Sequence, residues 1–150
     1  MNQIVLILVC ALGFGQRFAG DGRQGGNEFV AVDVRLEQPT GKAGGHGRII
    51  ISVKPKKGIH VNAVPPMDLR LEKGGIGTIA GKLEYSTVTR DTALYLDPSK
   101  SIKQSFSIAG TLKPGAVSLK GTFIFFYCSD AEGWCSRFKQ PIDLKLTIVP

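Results

Sequence analysis

Residues 123–138 read FIFFYCSDAEGWCSRF. Phe123 to Tyr127 is an unbroken aromatic and aliphatic run ending at Cys128, with the richness of a buried strand. The six residues before Cys135, SDAEGW, hold Ser, Asp and Gly, which turn a chain around. A second strand begins only after that turn, so the two cysteines face each other across a hairpin. There the Cα atoms come within the ~4.4–6.8 Å that a disulfide spans. The stretch therefore predicts a disulfide-capable β-hairpin, with the rest of the chain as its scaffold.

Outward from the hairpin, the signals are those of strands and turns. Val30, Val32, Val34 and Leu36 alternate with Ala31, Asp33 and Arg35, which marks a half-buried strand. Further strands are expected at Arg48 to Val53, Asp68 to Glu72, Thr78 to Tyr85, Ser101 to Ile108, Ala116 to Cys128 and Pro141 to Val149. The piece GIHVNAVPP, residues 58–66, is extended and stopped by two prolines, which cannot sit inside a central ladder. Ser86 to Lys100 lacks a period and reads as a loop with at most one short strand near Leu94 to Leu96. No segment carries a helical period, and 19 glycines with eight prolines suit many short strands better than a bundle. The expected class is all-β, an immunoglobulin-like β-sandwich of about seven to nine short antiparallel strands. Its core is expected on Val30, Val32, Ile50, Phe125, Leu144 and Leu146.

Ile4 to Gly15 is an apolar run of twelve, too short to span a bilayer and suited to the core of a secretory signal. The expected organisation is a signal peptide over 1–20, a flexible Gly-rich leader over 21–27 and a single domain over 28–150. Cys10 would leave with the signal. The mature chain would then be periplasmic or otherwise extracytoplasmic, with an even pair of cysteines in an oxidising compartment. The basic excess, a net +7 over the whole chain, is spread along the sequence without clustering. That pattern reads as a solvated surface with mild attraction to acidic partners and argues against nucleic-acid binding.

The cysteine pair has two readings. A small exported β-domain gains stability from a structural bridge, yet a bridge closing so short a loop gains little, which favours a reactive role. Asp130 and Glu132 in the turn would raise the thiol pKa values, whereas Arg137 and Lys139 would lower that of Cys135. Trp134 either shields the pair or packs as a core aromatic. His46 and His60 are 14 residues apart, which does not suit a zinc site, and His60 reads better as a half-buried strand residue. A copper set drawn from Cys128, Cys135, His60 or Met67 is the minor alternative. No serine-hydrolase elbow or phosphate-binding loop occurs, and neither a metal nor a cofactor is expected.

Two pieces in this order, GIHVNAVPP followed by DLRLEKGG, and FFYCSDAEGWC, resemble segments of one family. It is the periplasmic N-terminal domain of the thiol:disulfide interchange protein DsbD, an immunoglobulin-like module. The resemblance runs from about Glu28 to Val149. It implies a thiol–disulfide exchange module in which Cys135 carries the exchange and Cys128 resolves the mixed disulfide. Its partners would be thioredoxin-like or membrane electron-carrier proteins and periplasmic thiol proteins, met by a monomer without a membrane span. The family's aromatic cap loop corresponds to DTALYLDPSK, residues 91–100, where Tyr95 is the substitute. Tyr95, Tyr127, Trp134 and Arg137 are thus expected to shield the pair or tune its pKa values. The alternative is a non-catalytic binding or accessory sandwich with a structural hairpin disulfide.

Overall fold

The computed structural model describes residues 23–150, and all the regular structure among them is β. The signal segment expected over 1–20, with Cys10, lies outside the described residues. Strands β1 (Arg23–Gly26), β2 (Val30–Leu36), β4 (His46–Pro55), β10 (Ile102–Ile108) and β7 (Gly77–Glu84) form one sheet in the order β1-β2-β4-β10-β7. The second sheet runs β3 (Thr40–Lys42), β12 (Cys135–Val149), β11 (Gly115–Ser129) and β5 (Ile59–Val61), and β6 (Asp68–Leu71) also pairs with β11. A separate hairpin joins β8 (Thr87–Arg90) to β9 (Ala93–Leu96).

This connectivity is that of an immunoglobulin-like sandwich. Read in chain order, β2-β4-β10-β7 corresponds to the A-B-E-D sheet and β5-β11-β12 to the C-F-G sheet. The third strand in sequence is interrupted. β5 and β6 pair with successive stretches of β11, Ser129 to Tyr127 and then Ile124 to Gly121. Between them lie Val64-Pro65-Pro66, with a cis bond before Pro65, where missing N–H groups prevent a continuous ladder.

The core lies between the sheets and is built by period-2 alternation from both. Val30, Val32, Val34, Ile49, Ile51, Val53 and Phe106 meet Leu119, Phe123, Phe125, Leu144 and Leu146, all buried. Ile50 corrects the expected core: it is 4 % exposed but lies on the outer face, opposite Arg35 and Lys103. Arg48, Ser52 and Lys54, which share a face with Ile50, already mark that face as the outer one and leave Ile49, Ile51 and Val53 to face in. Two loop expectations change as well. The leader expected over 21–27 contributes β1, which pairs antiparallel with β2, and Asn27 closes the turn by accepting the N–H groups of Phe29 and Val30. The loop expected over Ser86 to Lys100 contains the β8–β9 hairpin, turned at Asp91 and Thr92, both at positive φ. Neither is a glycine, so the usual turn signal is missing from the sequence.

One polar side chain belongs to the core. Gln104 is 2 % exposed and sits where the β10–β7 register slips between Lys103 and Ser105. Its Nε2 donates to the carbonyls of Ala80, Gly81 and Ser105 at 3.2, 3.3 and 3.0 Å, beside the point where the ladder is irregular. Gln104→Leu should therefore lower stability by about 1 kcal/mol, the net loss of these hydrogen bonds. In urea denaturation this is a lower midpoint with an unchanged slope; an unchanged midpoint would mean that the carbonyls find water instead.

Candidate functional site

The long hairpin of β11 and β12 carries the cysteines at its tip. Its register runs unbroken from Gly115↔Ile148 to Cys128↔Cys135. Phe123, Phe125 and Tyr127 belong to the core, so Ile124, Phe126 and Cys128 point to the outer face of this sheet. On β12 the inward set is Phe138, Ile142 and Leu144, which leaves Cys135, Arg137 and Lys139 outward. The turn is made by Ser129, whose carbonyl accepts the N–H of Gly133 and whose hydroxyl accepts that of Glu132. Gly133 has φ +70°, a conformation that glycine adopts without a Cβ penalty. Beyond it, the Ser129 N–H donates to the Trp134 carbonyl at 2.9 Å.

Cys128 and Cys135 form a disulfide with Cα atoms 4.0 Å apart. This is close to the ~4.5 Å between residues directly opposed in the non-hydrogen-bonded positions of an antiparallel ladder. The two sulfurs are placed unequally: Cys128 is 5 % exposed, whereas Cys135 is exposed to solvent. The bridge joins neighbouring strands of one sheet on its outer face and does not cross the core between the sheets.

An open groove of about 810 Å³ borders the bridge, with His60, Asn62, Tyr95, Asp130 and both cysteines among its lining residues. His60 stands opposite Cys128 across β5 and β11. Its Nδ1–H donates to Asp130 Oδ1, the carboxylate being able only to accept, and its ring lies 4.2 Å from that of Tyr95. The β8–β9 hairpin forms one side of the groove through an isolated bridge between Tyr95 and Asn62 and through the Ala63 N–H, which donates to the Leu94 carbonyl at 3.0 Å. Arg90 lies over the outer part of that hairpin, its guanidinium 5.6 Å from the Tyr95 ring centroid. Two exposed apolar residues, Val64 and Leu94 at 67 % and 43 %, also line the groove.

The residues expected to shield or tune the pair divide between the two faces. Tyr95 lines the groove next to His60, and Arg137 follows Cys135 on the same face of β12. Tyr127 and Trp134 do not shield the sulfurs. Their rings pack edge to face, with centroids 5.8 Å apart, and both meet Phe29 at the end of the core. Strand alternation is the reason, because each is the immediate neighbour of a cysteine and so points to the other face. Asn62, and the pairing of His60 with Asp130, are the features of the site not expected from the sequence. Their signal was present in His60 and Asn62, which stand two apart in GIHVN and so share a face. His46 lies elsewhere, with Nδ1 3.4 Å from the Ser107 hydroxyl, and Met67 is buried in the core cluster. No cluster of three or more His, Cys, Asp or Glu side chains suited to a metal occurs among the described residues, nor a helix long and apolar enough to cross a membrane.

No family model and no curated protein matches the chain. Among solved structures it is similar to the GAE domain of yeast GGA1, at a TM-score of 0.42 and 16 % identity, over 79 % of this chain and 95 % of that one. A likeness at that level carries no argument about function.

Two outcomes follow from this arrangement. Trp134→Ala should cost about 2 kcal/mol, less than a fully buried aromatic, while leaving the rate of disulfide reduction by dithiothreitol unchanged. A faster reduction in this variant would mean that Trp134 does cover the sulfurs. Cys128→Ser with Cys135→Ser should stay folded, losing about 2.5 kcal/mol because the closed loop is short. Circular dichroism of an unfolded double variant would instead make the bridge a staple that the sandwich requires.

Proposed function

We propose that the protein is a thiol–disulfide exchange module, exported from the cytoplasm, that passes electron pairs through Cys128 and Cys135 to or from other extracytoplasmic thiol proteins. The single observation that carries this reading is the unequal placement of the two sulfurs. Both cysteines line the open groove, but Cys135 is exposed to solvent and Cys128 is buried. An incoming thiolate must approach along the S–S axis, and the open side leads it to Cys135, with Cys128 as the leaving sulfur. Arg137, two residues further along the same face, adds positive charge on the side where Cys135 would hold its thiolate.

Energetics support the same reading. The β11–β12 ladder already holds the two cysteines opposite each other, so the covalent bond constrains a loop that the sheet has largely closed. A structural bridge gives most when it joins segments far apart in sequence, and here the separation is seven. The resemblance of FFYCSDAEGWC and GIHVNAVPP to the DsbD N-terminal family adds to this, since both segments line the groove. The partners proposed are thioredoxin-like or membrane electron-carrier proteins, with no cofactor taking part.

A redox-active pair has a reduction potential above the ~−300 mV below which structural disulfides lie. Equilibration in glutathione and dithiothreitol buffers should therefore place this bridge above that value. Cys128→Ala, which leaves Cys135 without a resolving sulfur, should accumulate mixed disulfides with a thioredoxin-like protein, and Cys135→Ala far fewer. A bridge that stays oxidised well below −300 mV, with no capture by either variant, would leave an accessory domain with a static disulfide.

A further inference from the structure

Breaking the bridge by attack at Cys135 would leave a thiolate on Cys128, and Cys128 is 5 % exposed. Burial alone disfavours that charge, because a poorly solvated sulfur holds its proton. A functioning exchange site must therefore supply a donor where water is scarce. Among the described residues, Asn62 has that position: its Nδ2 lies 3.3 Å from Cys128 Sγ and its Oδ1 3.4 Å. In the disulfide the sulfur carries no hydrogen, so the amide N–H is the donor.

The backbone aims this amide firmly. The Asn62 N–H donates to the Phe126 carbonyl at 2.9 Å, the residue bridges to Tyr95, and the next N–H is held by Leu94. Val64 and the two prolines then take the chain away from β11. Among the described residues the side chain has no hydrogen-bond partner besides Cys128.

We propose that Asn62 is a catalytic residue of the exchange, the donor that receives the leaving thiolate of Cys128; this rests on the reading of the pair as redox-active. The thiolate of a dithiol protein attacks Cys135 Sγ, and a new S–S bond forms between the two. The Cys128–Cys135 bond breaks, and its electron pair leaves on Cys128 Sγ. The Asn62 N–H strengthens its hydrogen bond as that charge develops. The second thiolate of the partner then attacks the partner sulfur of the mixed disulfide. This gives an oxidised partner and a reduced Cys128/Cys135 pair. In the reverse direction the Cys128 thiolate, held by the same N–H, attacks Cys135 in a mixed disulfide and releases the partner. Once Cys128 is protonated, its S–H turns to Asn62 Oδ1, so one amide serves both states.

The test uses dithiothreitol as the attacking dithiol, so it needs no biological partner and is read independently of whether one is captured. The charged and titratable groups around the sulfurs are His60 on β5, Arg90, Asp91 and Tyr95 on the β8–β9 hairpin, Asp130 beyond β11 and Arg137 on β12. They are common to all variants. The bridge in Asn62→Ala should be reduced about tenfold more slowly than in wild type at one pH, as expected for one hydrogen bond to a charged group. Asn62→Asp, of the same shape but with acceptors and a charge facing the sulfur, should be slower still. In a Cys135→Ser background, thiolate absorbance against pH should show the Cys128 thiol titrating higher in both variants than with Asn62 present. A merely structural role predicts the opposite, because loosening the groove exposes the bridge and speeds its reduction. Rates that are unchanged or faster in both variants, with an unmoved Cys128 titration, would overturn the assignment.

Discussion

The register of the β11–β12 hairpin is the constraint on which the rest depends. Its two strands pair without interruption from Gly115↔Ile148 to Cys128↔Cys135, and alternation then sorts every residue along them. Phe123, Phe125, Leu144 and Leu146 fill the core, while Cys128, Cys135, Arg137 and Lys139 share the outer face. A slip of one residue on one strand would turn its whole apolar set to solvent and part the cysteines between faces. Burial of the aromatic face is therefore what fixes the sulfur pair. The core specifies the site through the strand period alone, and the sulfurs need no part in that choice.

Much of this was legible because period-2 patterns are local. The strands Val30–Leu36, Ile102–Ile108 and both arms of the hairpin appear where alternation or aromatic density marks them. What was missed has a physical reason in each case. Ile50 is as apolar as its two neighbours, and only the phase of Arg48, Ser52 and Lys54 around it sets it on the outer face. The β8–β9 hairpin turns on Asp91 and Thr92, which take positive φ without glycine, so the usual turn signal is absent. The strand Arg23–Gly26 owes its order to pairing with β2 and to Gln140, whose Oε1 accepts the Gly26 N–H at 2.6 Å, more than a hundred residues away in sequence.

The site was legible to the same depth and for the same reason. The two cysteines and the turn between them announce themselves, and their pairing follows from the hairpin. Trp134 and Tyr127 mislead because nearness in sequence suggests nearness in space. On a strand, adjacent residues are the pair that cannot share a face, and these two rings close the core with Phe29 instead. The residues that do surround the sulfurs, His60 on β5, Asn62 just beyond it and Tyr95 on β9, are roughly 30 to 75 positions distant. No local pattern reports such neighbours; sheet topology does.

The broken third strand connects the fold to the chemistry. Had β5 and β6 formed one continuous strand, it would pair with β11 throughout and its edge would run straight past the cysteines. β5 instead ends at Val61, ahead of the two prolines, and Tyr95 of β9 bridges to the chain at Asn62. Two consequences follow from the same interruption. The β8–β9 hairpin gains a place to dock, which builds one side of the groove, and the Asn62 side chain is held against Cys128 by neighbours on both sides. A local loss of ladder hydrogen bonds thus accompanies a buried cysteine with a donor at its sulfur, beside an exposed cysteine with none among the described residues. That asymmetry gives the disulfide a direction of attack, which two equally exposed cysteines on an uninterrupted sheet would lack.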